Sequence, residues 1–163
     1  MKETLQALAS YNIWANKKFI DILLKLDDEI LDKEIISSFN SLRLTAYHMW
    51  GAESIWLQRL QLAEQPAWAP ATFTGSMAEA CGEWEKASKG LLQFVEKQFD
   101  DQSFTHVLQY YDLRKLSQKK KVSTVLLQLF THAGYHRGQL VTMMRQAGIS
   151  KIPGTDYLLF SKQ

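Results

Sequence analysis

The chain is expected to fold as an all-α four-helix bundle with one long crossover connection and a possible small extended hairpin before the last helix. Three observations predict this. Apolar residues recur at spacings of three and four along four long stretches. Capping residues, prolines and glycines punctuate the sequence between them. The 163 residues, 46 % apolar and 22 % charged, suffice for one core and one domain spanning 1–163.

The first helix follows from Leu5, Leu8, Ala9, Ile13, Trp14, Phe19, Ile20, Leu23 and Leu24, an apolar stripe to about residue 25. Asp27-Asp28-Glu29 ends it or begins a polar turn. Ser37, Ser38 and Ser41 offer capping oxygens to a second helix reaching about Leu62. Leu44, Tyr47, His48, Gly51 and Ile55 are expected along one of its faces. A loop with Pro66 and Pro70 follows, closed by Thr74-Gly75-Ser76. Ser76 and Glu79 form a capping box for a third helix that runs through Trp84, Leu91, Leu92, Val95 and Phe99. Phe104 to Tyr111 is rich in β-formers, and Asp112 suits a turn, so this region reads as an extended segment or irregular hairpin. The fourth helix runs from about Val122 to Gln146 and stops at Gly148. The tail from Pro153 to Phe160 is expected to be extended, its apolar residues docked on the bundle.

Composition removes several function classes. A net charge of +2 is too small to argue for nucleic acid. Lys119-Lys120-Lys121 is short, lacks interleaved aromatics and reads as a solvated turn before a helix. No apolar run can span a bilayer, and the N-terminus lacks a signal-peptide pattern. The single cysteine, Cys81, excludes an internal disulfide and fits a reducing cytoplasm, the expected location. Nothing basic adjoins Cys81 in sequence, so it reads as a structural thiol.

The fourth helix carries His132-Ala-Gly-Tyr-His136-Arg-Gly-Gln139. Two histidines four residues apart lie one above the other on a helix and can grip one ion. Val125, Leu129, His132, His136, Leu140 and Met143 share the core-facing spacing, so two polar rings occupy core positions. Buried imidazoles require a hydrogen bond or a metal. His48 shows the same conflict on the second helix, and Gly51, one turn on, would leave room for an ion or substrate. Three imidazoles from two helices would leave part of a coordination sphere open. The residues alone leave structural histidines and metal ligands as alternatives. Ala133 stands where a metalloprotease His-Glu-x-x-His has its glutamate, so that chemistry is excluded. His106 reads as a surface or packing residue. Gly134 and Gly138, about 200° around from the histidines, form with Leu127 and Val141 a second small apolar stripe. That stripe points to a homodimer packed partly on this helix, the alternative being a cover supplied by the chain's own tail or loops.

Three pieces carry a resemblance: Tyr11-Asn12-Ile-Trp14-Ala15-Asn16, His48 within Tyr-His-Met-Trp-Gly-Ala-Glu-Ser-Ile-Trp-Leu, and His132-x-x-x-His136-Arg137-Gly138-Gln139. Together, and with the tail from Pro153 through Tyr157, they resemble the DinB (DinB/YfiT-like) family over nearly the whole chain. The resemblance implies a four-helix bundle, commonly dimeric, with a divalent metal on three histidines that map to His48, His132 and His136. It implies, for some relatives, thiol-dependent transferase or isomerase activity with a low-molecular-weight thiol. It does not imply DNA binding.

The expected function is therefore a metal-dependent transferase acting on a small molecule. A divalent ion, zinc or nickel, would promote loss of a proton from a low-molecular-weight thiol that attacks an epoxide or activated halide. The alternatives are a non-catalytic metal-binding stress-response protein and a helical dimer with structural histidines. Asn12, Glu53 and Gln139 are candidate outer acceptors for the imidazoles, while Glu53, about 140° from His48, is poorly placed as a direct ligand. No phosphate loop or serine elbow is present. Trp68, between the two prolines, is a candidate cover for a pocket mouth.

Overall fold

The computed structural model describes residues 1–112 and 114–161. Four long helices carry the core: α1 (Lys2–Leu23), α3 (Leu42–Leu60), α4 (Met77–Lys97) and α5 (Val122–Gln146), with a short α2 (Asp28–Asp32) between the first two. Strands β1 (Val107–Tyr111) and β2 (Ser117–Lys121) form an antiparallel hairpin before α5, with Val107 opposite Lys121. A one-turn helix, α6 (Tyr157–Phe160), ends the described chain. Among the described residues no helix is long and apolar enough to cross a membrane.

The helix starts are local events. Asp27 caps α2 by accepting the Ile30 N–H at 2.9 Å, so the acidic run begins a helix of its own. Ser41 caps α3 through the Leu44 N–H at 3.1 Å. At α4, Ser76 Oγ accepts from the Glu79 N–H and the Glu79 carboxylate accepts from the Ser76 N–H, the expected capping box. α5 has no side-chain cap; the Val122 N–H instead donates to the His106 carbonyl.

Two apolar clusters fill the bundle. One contains Phe19, Leu23, Met49, Trp84, Leu140 and Met143; the other contains Leu5, Leu60, Leu91, Phe104, Leu126 and Leu129. The order in which each helix visits them gives its direction: α1 and α5 run one way, α3 and α4 the other. The link from α3 to α4 must therefore travel back along the bundle. That link, residues 61–76, is the long crossover, and it carries Trp68 past the flank of α3.

Several local expectations change. The buried residues of α3 are Leu42, Thr45, Ala46, Met49, Trp50, Gly51, Ala52, Glu53 and Leu60; of the expected face only Gly51 is among them, with Leu44 half exposed and Tyr47, His48 and Ile55 half-buried. α3 packs against both α4 and α5, and those two neighbours select a face turned away from the one expected through Leu44, Tyr47, His48 and Ile55. Lys119, Lys120 and Lys121 lie in β2, not in a turn; pairing uses their backbone and leaves the side chains in solvent. The tail ends in α6, with Tyr157 against Tyr11 and Phe160 against Trp14.

Candidate functional site

His132 and His136 project from one face of α5 toward His48 on α3. The His48 and His132 Nε2 atoms are 3.0 Å apart, and those of His136 and His132 are 3.1 Å apart. Among the described residues, these three form the one cluster of histidine, cysteine or acidic side chains close enough to share an ion, with one ligand atom from each within 4.8 Å of the others. The bundle brings together all three histidines singled out by sequence.

The protonation pattern of the cluster is constrained. His136 Nδ1–H donates to Gln139 Oε1 at 2.7 Å, and Gln139 Nε2 donates to Ser38 Oγ at 2.7 Å. The amide oxygen can only accept, so the His136 proton sits on Nδ1 and Nε2 presents a lone pair. Neutral His132 has one Nε2, which either donates or accepts. Its two close contacts therefore cannot both be hydrogen bonds to neutral rings in that tautomer. Burial lowers the pKa of His48 and of His132 to about 4, helped by repulsion from the neighbouring histidines, and burial also lowers that of His136. The neutral, ligand-competent form is favoured in all three.

Aromatic rings wall the cluster. Phe39 stacks on His48 with centroids 4.1 Å apart, and Tyr135 meets His136 edge-on at 5.0 Å. Trp68 approaches His48 at 5.8 Å. The space at Gly51 is not left for an ion: a Cβ there would come within 2.5 Å of the Trp68 ring. Gly51 lets Trp68 close down on α3, as the wall of a cavity of about 290 Å³ that also reaches His48 and His132. A larger hollow of about 420 Å³ opens between α1 and α4 beside Trp14, but no histidine or cysteine lines it, and its Lys17 and Lys89 are paired with Asp21 and Glu85.

Of the candidate outer acceptors, only Gln139 reaches a histidine. Asn12 and Glu53 belong to a buried network that sequence reasoning did not identify. Arg137 Nη1 donates to Asn12 Oδ1 at 2.7 Å and to Asn16 Oδ1 at 2.8 Å. Both amides donate onward to Glu53 Oε1 at 2.8 Å, and Ser88 Oγ donates to Glu53 Oε2 at 2.5 Å. Burial raises the Glu53 pKa, and the Ser88, Asn12 and Asn16 donors pull it back. The Trp84 indole N–H also lowers it from nearby without meeting hydrogen-bond geometry, and it finds no hydrogen-bond partner among the described residues. Burial likewise lowers the pKa of Arg137. The signal in the sequence was the polar set Asn12, Asn16, Glu53, Ser88 and Arg137 at positions where their helices are otherwise apolar. Cys81 is buried, and its thiol is pushed up to about 11, chiefly by desolvation, as suits a structural residue. His106 is exposed, as expected.

A model of the DinB family matches residues 1–163. Protein DinB of Bacillus subtilis (strain 168) is 29 % identical over 160 residues, covering 94 % of this chain and 91 % of that protein. The uncharacterized protein YrdA of the same strain is 27 % identical over 133 residues, covering 82 % and 76 %. Among solved structures, a DinB-like protein from Bacillus cereus ATCC 10987 aligns with a TM-score of 0.68 at 24 % identity, covering 89 % of this chain and 91 % of that one. A DinB-like protein, YjoA, from Bacillus subtilis gives 0.66 at 11 % identity, covering 91 % and 97 %. These two structural likenesses speak for the fold.

Proposed function

The chain belongs to the DinB family, and on that premise we propose that His48, His132 and His136 hold one divalent metal ion and that the protein is a metal-dependent transferase using a low-molecular-weight thiol. One observation carries the metal reading. Three Nε2 atoms converge with neighbouring separations of 3.0 and 3.1 Å, where neutral rings cannot satisfy both contacts. Two nitrogens bound to one zinc at tetrahedral angles stand roughly 3.4 Å apart, so a small relaxation fits the set to an ion. Zinc and nickel both suit imidazole.

The residues have distinct roles. His48, His132 and His136 are ligands, and Gln139 orients His136 through Nδ1–H. Phe39 and Trp68 restrict water. A divalent ion, when bound, supplies the positive charge that lets a thiol or water lose its proton near neutral pH. The reacting thiol is external, because the chain's one cysteine is buried with a raised pKa. In the transfer, the thiol proton leaves to solvent, a sulfur–carbon bond forms to a small electrophile, and the bond to its leaving group breaks. The site lies in the reducing cytoplasm, where such thiols are abundant. The protein works as a homodimer through the outer face of α5. That assignment is supported by Leu127 and Tyr135, 47 % and 62 % exposed, flanking Gly138, where an added Cβ would meet nothing within 4 Å.

The test is metal content by mass spectrometry on protein purified without an affinity tag, beside a His132→Ala, His136→Ala double variant. Near-stoichiometric metal that is lost in the variant is the expected result. Absence of metal after incubation with zinc or nickel and dialysis overturns the site. Metal without turnover of any thiol and electrophile pair leaves a metal-binding protein and overturns the transferase reading.

A further inference from the structure

The cavity beside the histidines has a second end. His48, Ala52, Ile55, Trp56 and Arg59 form one continuous face of α3 lining it, at steps of three and four residues. His48 and Arg59 stand eleven residues apart, roughly 16 Å along the helix axis. Between them the walls are aromatic and aliphatic, with Trp68 and Tyr110 above and Leu129 on α5 opposite. The cavity therefore runs from the imidazole cluster to one cation.

Arg59 is held by its neighbours. Its guanidinium lies over Trp56 at 4.6 Å and over Tyr110 at 5.0 Å, and Nη2 donates to the Tyr111 carbonyl at 3.0 Å. These contacts fix the plane of the fork. No carboxylate among the described residues is within ion-pairing distance of it, and burial lowers its pKa from the ordinary arginine value. Asp112, which also lines the cavity, is spent on its own turn: its carboxylate accepts from the Arg114 and Leu116 N–H groups and from Gln118 Nε2, at 2.9, 3.0 and 3.0 Å. Elsewhere on the chain an arginine such as Arg43 is matched directly by Asp28 and Asp32. Arg59 is a half-buried, well-held cation with no paired anion among the described residues.

We propose that Arg59 is the anion-recognising end of the substrate cavity, and that the substrate is an elongated small molecule with an apolar body and a carboxylate, phosphate or sulfonate group opposite its reacting end. This assignment rests on reading the histidines as the reactive end of the same cavity. Arg59 is a binding residue; its planar fork suits bidentate contact with a carboxylate or a phosphoryl oxygen pair.

The experiment compares two fluorescent probes that differ by one sulfonate: 8-anilino-1-naphthalenesulfonate and its uncharged parent N-phenyl-1-naphthylamine. Wild-type protein is expected to bind the sulfonate about tenfold more tightly than the parent. Arg59→Gln, which keeps a donor toward the Tyr111 carbonyl but loses the charge, should bring the two affinities together. Arg59→Lys should retain most of the preference. Thermal melts by circular dichroism identify a variant that has merely lost its fold, and the lysine variant then decides through its retained preference. A sulfonate preference that persists in Arg59→Gln, or none in the wild type, overturns the assignment. Metal content measured on the same preparations separates the two readings. Full metal without an Arg59-dependent preference sinks the anion site alone. An Arg59-dependent preference in protein that takes up no metal sinks the metal reading alone.

Discussion

A single amide decides how His136 presents itself. Gln139 accepts the Nδ1 proton and is itself held by Ser38, so the imidazole shows its lone pair to the cluster. Gln139→Leu should keep the fold and weaken zinc affinity by roughly 10- to 100-fold, as measured by competition with a chromophoric chelator. Titration behaviour follows from the same side chains. His48 and His132 titrate near 4 when folded, against about 6.5 in an unfolded chain. The unfolded state then binds more protons between these values, so stability rises with pH across that window. In metal-free protein the unfolding midpoint should hold steady above about pH 6.5 and fall as pH drops from there toward 4. Thermal melts in the presence of chelator check this, and His48→Asn should flatten part of the slope.

At the scale of elements, the crossover between α3 and α4 is more than a connection. It must run back along the bundle because the two helices point the same way, and on that path Trp68 fills the space that Gly51 leaves on α3. Gly51→Ala places a Cβ within 2.5 Å of the indole. An alanine gains about 1 kcal/mol of helix propensity over glycine, and overpacking costs about 1–3 kcal/mol. The net stability change should therefore be small, while the ring moves. A shift in tryptophan emission that is absent when the same substitution is made in a Trp68→Phe background would verify that movement. An unchanged spectrum in both backgrounds would contradict it. The starts of α3 and α4 were legible in the sequence, because Ser41, Ser76 and Glu79 act through neighbouring backbone groups. The core face of α3 was not, because it is selected by α4 and α5, which periodicity on one helix cannot locate.

Across the whole molecule, the two apolar clusters meet at a polar layer to which all four long helices contribute. Asn12 and Asn16 come from α1, Glu53 from α3, Ser88 from α4 and Arg137 from α5. The amides relay the Arg137 cation to the Glu53 carboxylate, so neither buried charge stands alone. Arg137→Met leaves the carboxylate uncompensated and should cost about 3–5 kcal/mol in chemical denaturation. Adding Glu53→Gln should recover a substantial part of that loss, because the remaining group is neutral. A double-mutant cycle with no coupling would refute the relay. One such layer penalises sliding of any helix, and Arg137 adjoins His136 on α5, so the register that satisfies the layer also sets the height of the histidines.

Sequence alone determined the four long helices, the caps of two of them, the hairpin region and the three candidate histidines. Each of these is written in local spacing, or in a polar ring set at an apolar position. The resemblance carried by Tyr11–Asn16, His48 and His132–Gln139 extended that reading to the family. Only the tertiary structure decided which outer residue serves the histidines and which serve the core. Gln139 does the first, while Asn12 and Glu53, also candidates from the sequence, join the buried network around Arg137. It also decided what Gly51 makes room for, and that Arg59 shares a cavity with His48. These are contacts between residues distant in the chain, fixed by how the helices pack rather than by the pattern along any one of them.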